Sequence, residues 1–236
     1  MKGVRFVVSC EHATNDVPEK YKKLFEGAEE VLQSHRGWDP GALEMTLDLA
    51  ERLEVQPHLY PYTRLLIEPN RSLGSPQLFS EYSIDLSEEE KQWLVANYYQ
   101  PYRNRIEEEI EKHIQDGYQV IHLSMHSFTP VWKGKEREVE IGLLFDDQRS
   151  SEKHFCERWL EQLQSSCNHT AIPNEPYHGA DDGLTTYLRT RFSVEAYLGI
   201  EIEVSQKFGG EDRREIVGRL NEGLVKIIRH SDSQSS

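Results

Sequence analysis

The sequence predicts a single α/β domain, and three observations carry that prediction. Short apolar runs of strand type alternate with helical repeats from one end of the chain to the other. No internal repeat and no linker interrupts that alternation. A length of 236 residues suits one sizeable domain and hardly allows two. The domain is expected over residues 1–230, with a disordered Ser-rich tail over 231–236.

The elements follow in order. Val4 to Ser9 reads as a buried strand, with Glu11-His12-Ala13-Thr14-Asn15 just beyond its carboxyl end. A helix is expected over Gly41 to Leu53, with Asp39 as N-cap and Pro40 at the first helical position. Tyr60 to Ile67 reads as extended chain. Ser87-Glu88-Glu89-Glu90 is a capping box that opens a second helix. Its inner face is Leu94, Tyr98, Tyr102, Ile106, Ile110 and Ile114, its end is Gly117, and Pro101 should kink it. Tyr118 to Met125 alternates as a strand does, with His126-Ser127-Phe128 at its end. Glu140 to Phe145 is a further strand, Glu152 to Leu163 a helix, Gly183 to Thr190 a short helix, and Tyr197 to Val204 the last strand. The final helix carries Ile216, Leu220, Leu224, Ile227 and Ile228 on one side, with Arg229 and His230 suiting its negative end.

Composition narrows the class of function. A formal net charge of −14 disfavours nucleic acid and anionic membranes as partners, and an anionic substrate would need local arginines. Mean hydropathy is low at −0.69, but 11 Tyr, 8 Phe and 4 Trp provide bulky core material. No apolar stretch reaches the length of a membrane span, and the N-terminal segment reads as a strand, without the apolar region of a signal peptide. Cys10, Cys156 and Cys167 show no CxxC spacing and fit free thiols in a reducing cytoplasm.

Ligands of open α/β sheets collect beyond the carboxyl ends of strands. His12, His126 and Glu203 fall at or near three such ends. Taken singly, each has a plain reading. A strand-end His is commonly a hydrogen-bonded loop residue, Asp39 before Pro40 is ordinary capping, and Glu201 or Glu203 could face solvent opposite Ile200, Ile202 and Val204. Arg64 and Arg71 could simply pair with acidic neighbours. The run His35-Arg36-Gly37-Trp38 is explained by a loop around a buried Trp, and Cys10 by a small core residue.

Together, however, six segments resemble the N-formylglutamate amidohydrolase family of the zinc-carboxypeptidase-like group. They are Ser9-Cys10-Glu11-His12-Ala13-Thr14-Asn15, Trp38-Asp39-Pro40-Gly41-Ala42, Thr63-Arg64-Leu65-Leu66-Ile67-Glu68-Pro69-Asn70-Arg71, Met125-His126-Ser127-Phe128, Asn174-Glu175-Pro176-Tyr177 with Asp182-Gly183, and Glu203-Val204-Ser205-Gln206. The resemblance implies a three-layer α/β/α sandwich with a mostly parallel mixed sheet. It implies one zinc ion on His12 and His126. Classical zinc carboxypeptidases place Glu three residues after the first His, where this chain has Asn15, so the third ligand is expected to be Asp39, with Glu11 the alternative. Asn70 and Arg71 would hold a substrate carboxylate, Arg64 would polarise the scissile carbonyl or share that grip, and Glu203 would be the general base. Two departures stand out: Glu68 where the family has Asp, and Ser205 where Arg is frequent. The implied reaction is metal-dependent hydrolysis of a small, acidic N-acyl amino acid of the N-formylglutamate type. A carboxypeptidase, a desuccinylase-like deacylase, or a non-catalytic binder of small anions that has lost its metal are the alternatives.

Overall fold

The computed structural model describes residues 2–166 and 168–234, so Cys167, Ser235 and Ser236 lie outside the described residues. The strands are β1 (Val4–Cys10), β2 (His58–Leu59), β3 (Gln119–Phe128), β4 (Val131–Trp132), β5 (Lys135–Glu136), β6 (Ile141–Leu144), β7 (Ala171–Pro173) and β8 (Tyr197–Ser205). Six of them form one sheet in the order β2-β1-β3-β8-β6-β7, and β4 and β5 form a separate antiparallel ribbon. Every pairing in the large sheet is parallel except β6 against β8, so the sheet is mixed and mostly parallel.

The helices are α1 (Glu29–Gln33), α2 (Ala42–Arg52), α3 (Glu88–Leu94), α4 (Gln100–Gln115), α5 (Ser150–Ser166), α6 (Leu184–Arg191) and α7 (Gly210–Gln234). Alternation along β3 shows how the layers arise. Ile121, Leu123 and Met125 point into one core with Met45 and Leu49 of α2, Trp159 and Leu163 of α5, and Leu220 and Leu224 of α7. Val120 points the other way, into a core with Tyr102, Ile106 and Ile110 of α4 and Leu184 and Leu188 of α6. Helices therefore cover both faces, as a parallel sheet requires. No helix among the described residues is long and apolar enough to cross a membrane.

Three expectations need correction. Asp39 does not cap α2: the cap position is Gly41, in a left-handed conformation at φ 88°, and the Asp39 carboxylate turns elsewhere. Residues 64–67 are a turn and not extended chain, because Leu66 N bonds back to Thr63 O at 3.2 Å and Leu65 N to Thr63 Oγ1 at 3.3 Å. Pro101 acts through the turn before it. Residues Val95–Tyr99 form a π-helical turn between α3 and α4, in which Gln100 N bonds to Val95 O. The extra residue of that turn shifts the buried stripe, so Tyr99 is buried and Tyr98 only partly so. At the C-terminal end α7 is assigned as far as Gln234, and the last two residues of the expected tail, Ser235 and Ser236, lie outside the described residues. The Ser87 cap is present as expected, its side chain accepting from Glu90 N.

Candidate metal and active site

The site grows from the carboxyl ends of β1, β3 and β8. His12 stands in the turn directly after β1, while His126 lies inside β3, near its end. Parallel pairing places His126 opposite Glu203 of β8. The loop carrying Asp39 is tied to the same place by a hydrogen bond from Asp39 N to His12 O, 3.0 Å. All three side chains are at least 97% buried.

Their donor atoms converge. His126 Nδ1 is 3.2 Å from His12 Nδ1 and 3.0 Å from Asp39 Oδ2, and His12 Nδ1 is 3.1 Å from the same oxygen. The far nitrogen of each imidazole meets a carboxylate. His12 Nε2 is 2.6 Å from Glu68 Oε1, and His126 Nε2 is 3.2 Å from Glu11 Oε2. A proton on each Nε2 leaves each Nδ1 with its lone pair facing Asp39, the arrangement that fixes a metal-binding tautomer.

Glu11 is therefore not placed as the third ligand. It lies behind His126, where Tyr102 Oη donates to it at 2.7 Å and Ser124 Oγ donates to its other oxygen. Glu11 is the first turn residue after β1, and its carboxylate meets Nε2 of His126, whereas Asp39 meets Nδ1. Glu68, noted in the sequence only as a departure, holds three donors: His12 Nε2, Arg64 Nε at 2.6 Å and Asn70 N at 2.9 Å.

Charge at the centre is concentrated. Burial opposes ionisation of Glu11, Asp39 and Glu68, yet nearby His126, His12 and Arg64 hold all three carboxyls well below the usual range. Burial likewise opposes a charge on His126, but its hydrogen bonds with Asp39 and Glu11 push it well above the ordinary value. Glu203 behaves in the opposite way. Desolvation pushes its carboxyl up to about 8, and Oε2 has no hydrogen-bond partner among the described residues.

A cavity of about 320 Å³ opens over these groups. Its lining includes His12, Asp39, Arg64, Asn70, Arg71, His126 and Glu203, so every expected site residue reaches one space. Arg64 bonds to Glu68 through Nε and sits 3.2 Å from His12 Nδ1 through Nη1. Arg71 bonds to Gln77 Oε1 at 3.1 Å and to the carbonyls of Asn70 and Asp182 at 2.8 and 2.9 Å. Asn70 Oδ1 accepts from Leu184 N at 2.7 Å, which ties this loop to the start of α6.

The cavity also takes in residues to which the sequence assigned no role. His35 lies 3.3 Å from Asp39 Oδ1, and its Nδ1 is 2.9 Å from Gln206 Nε2. Glu201 lines the cavity as well, half-buried, and accepts from Thr185 Oγ1 at 2.8 Å. Trp132 and Tyr177 form the rim. Gly142, opposite Glu203, lets the chain at Glu175 approach: a Cβ there would stand 2.0 Å from Glu175 O. Strand ends suggest the convergence of His12, His126 and Glu203, whereas the rim depends on loops distant in sequence.

The family model of N-formylglutamate amidohydrolase matches residues 4–208. Gene product Atu2144 from Agrobacterium tumefaciens is 31% identical, with a TM-score of 0.84 over 98% of this chain and 92% of that one. N-formylglutamate amidohydrolase from Ralstonia eutropha JMP134 is 16% identical, with a TM-score of 0.70 over 98% of this chain and 94% of that one. At that identity the likeness concerns the fold. Among curated protein sequences none matches the chain significantly. The family match spans most of the sequence, from the first strand to just beyond the last: this chain belongs to the N-formylglutamate amidohydrolase family.

Proposed function

We propose that this chain, an amide hydrolase by its family, cleaves the acyl–nitrogen bond of a small, acidic N-acyl amino acid of the N-formylglutamate type, using one zinc ion on His12, Asp39 and His126. One observation carries the metal reading. The two Nδ1 atoms and Asp39 Oδ2 form a triangle with sides of 3.0 to 3.2 Å. Tetrahedral zinc with bonds of about 2.0–2.1 Å has its ligand atoms about 3.3 Å apart. The donor set also suits the charge. The carboxylates of Glu11, Asp39 and Glu68 gather around the two histidines, and Arg64 is the one arginine paired with them among the described residues, a surround that favours a bound cation.

A cation held there would supply Lewis acidity towards water and a carbonyl oxygen. The protein groups do the rest. Glu203 takes the proton of the attacking water and delivers it to the leaving nitrogen; a carboxyl with a raised pKa and an unpartnered oxygen suits a group that cycles between both states. A positive charge beside it favours the ionised form needed at the start. Arg64, held by Glu68, steadies the developing oxyanion, and Asn70 with Arg71 receives the substrate carboxylate. We place the enzyme in the cytoplasm, a reading supported by the free, buried thiols of Cys10 and Cys156.

A non-catalytic anion binder would be favoured by separated histidines, and here their nitrogens are 3.2 Å apart. Metal analysis of the purified protein, then amine release from a panel of N-acyl amino acids and C-terminal peptides, tests the reading. Full activity after removal of all divalent metal would sink the zinc assignment. Preference for peptides would favour the carboxypeptidase alternative.

A further inference from the structure

Near the cavity, two arginines are already engaged: Arg64 by Glu68 and Asp39, Arg71 by Gln77 and two carbonyls. Arg137 is different. It follows the β4–β5 ribbon, whose base is closed by a bond from Arg137 N to Pro130 O, 2.9 Å. Its guanidinium carbon lies 5.4 Å from the ring centroids of Phe128 and Trp132 and 5.3 Å from that of Tyr177. Two of those rings, Trp132 and Tyr177, line the cavity. Among the described residues Arg137 makes no ion pair, and its one side-chain hydrogen bond runs from Nη1 to Thr129 O at 3.3 Å.

Three aromatic groups thus hold the guanidinium while leaving most of its N–H edge unspent, because cation–π contact uses the face of the plane. The cavity lining also carries Glu201, Asp181 and Asp182, acidic groups that would repel a second anionic group of a substrate. Arg137, in contact with two of the lining rings and paired with no carboxylate among the described residues, would answer that repulsion.

We propose that Arg137 binds a second carboxylate of the substrate, and so selects dicarboxylic N-acyl amino acids over those with neutral side chains. This rests on the amidase reading above, with Arg71 receiving the first carboxylate. N-formylglutamate and N-formylglutamine, which differ only in that second carboxylate, test it. Arg137→Gln should lower kcat/KM for N-formylglutamate by about ten- to a hundredfold, mainly through KM, and change N-formylglutamine by less than about twofold. Arg137→Lys should recover part of the loss, and thermal unfolding of both variants checks that the ribbon still folds. Equal losses on the two substrates, or none, overturn the proposal. If the wild type hydrolyses neither compound, the amidase reading fails. Equilibrium binding of the same pair, followed by tryptophan fluorescence, then still decides Arg137: a preference for N-formylglutamate that Arg137→Gln abolishes supports it, and a preference unchanged by the substitution refutes it.

Discussion

Replacing Glu68 by Gln changes one atom, yet the hydrogen bonds around it allow no neutral outcome. Glu68 Oε1 accepts from His12 Nε2 and Asn70 N, and Oε2 accepts from Arg64 Nε. Gln offers one acceptor oxygen and one NH2 group. With the oxygen kept towards His12, the NH2 faces the Arg64 Nε–H at a separation of 2.6 Å, and a charge-assisted bond of about 1.5–3 kcal/mol is lost. With the amide turned over, the NH2 faces His12 Nε2, which must become an acceptor. The imidazole proton then moves to Nδ1, the atom proposed to hold zinc. Either way the support of the proposed ligand is weakened, and losses of this kind lower metal affinity by about 10- to 100-fold, or roughly 1.4–2.8 kcal/mol. Competition against a chelator of known affinity measures it, with circular dichroism to check the fold. Glu68→Asp keeps both acceptor oxygens and should lose less. A folded Glu68→Gln protein with zinc affinity within about twofold of wild type would refute this account of the His12 tautomer.

Three further outcomes are expected. Glu203→Gln should keep metal and fold while losing most turnover, checked by metal content beside steady-state rates, since only proton transfer is removed. His122, buried between Ser9 Oγ at 2.8 Å and Tyr197 Oη at 2.9 Å, has its pKa lowered by desolvation to about 4 from 6.5. Its folded pKa is depressed, so the associated stability is present above pH 6.5 and is lost as pH falls towards 4, by about 3 kcal/mol; urea unfolding of wild type and His122→Gln over that window should show the smaller pH dependence in the variant. Trp159→Ala, which removes a fully buried ring whose Nε1 donates to Leu220 O at 3.0 Å, should cost about 3–5 kcal/mol in unfolding free energy without altering metal content.

Much of this protein is written in local pattern. The alternation of β3 and β8, the stripe of α7 and the Ser87 cap follow from periodicity and side-chain chemistry within a few residues, because a strand or helix imposes its spacing on any sequence that adopts it. The positions of His12, His126 and Glu203 at strand ends were legible for the same reason. What only the tertiary structure decided was which groups meet. Asp39 and Glu11 are both acidic neighbours of the histidines in sequence terms, but one shares an oxygen with both Nδ1 atoms and the other lies behind His126. The capping preference of Asp39 lost to that cluster, and Gly41 took the cap position. Glu68 and Arg137 gained their places from loops whose course no local propensity specifies. Metal geometry, tautomers and cation stacking depend on separations of a few ångströms between residues tens of positions apart, and only the packing of the sheet and its loops sets those separations.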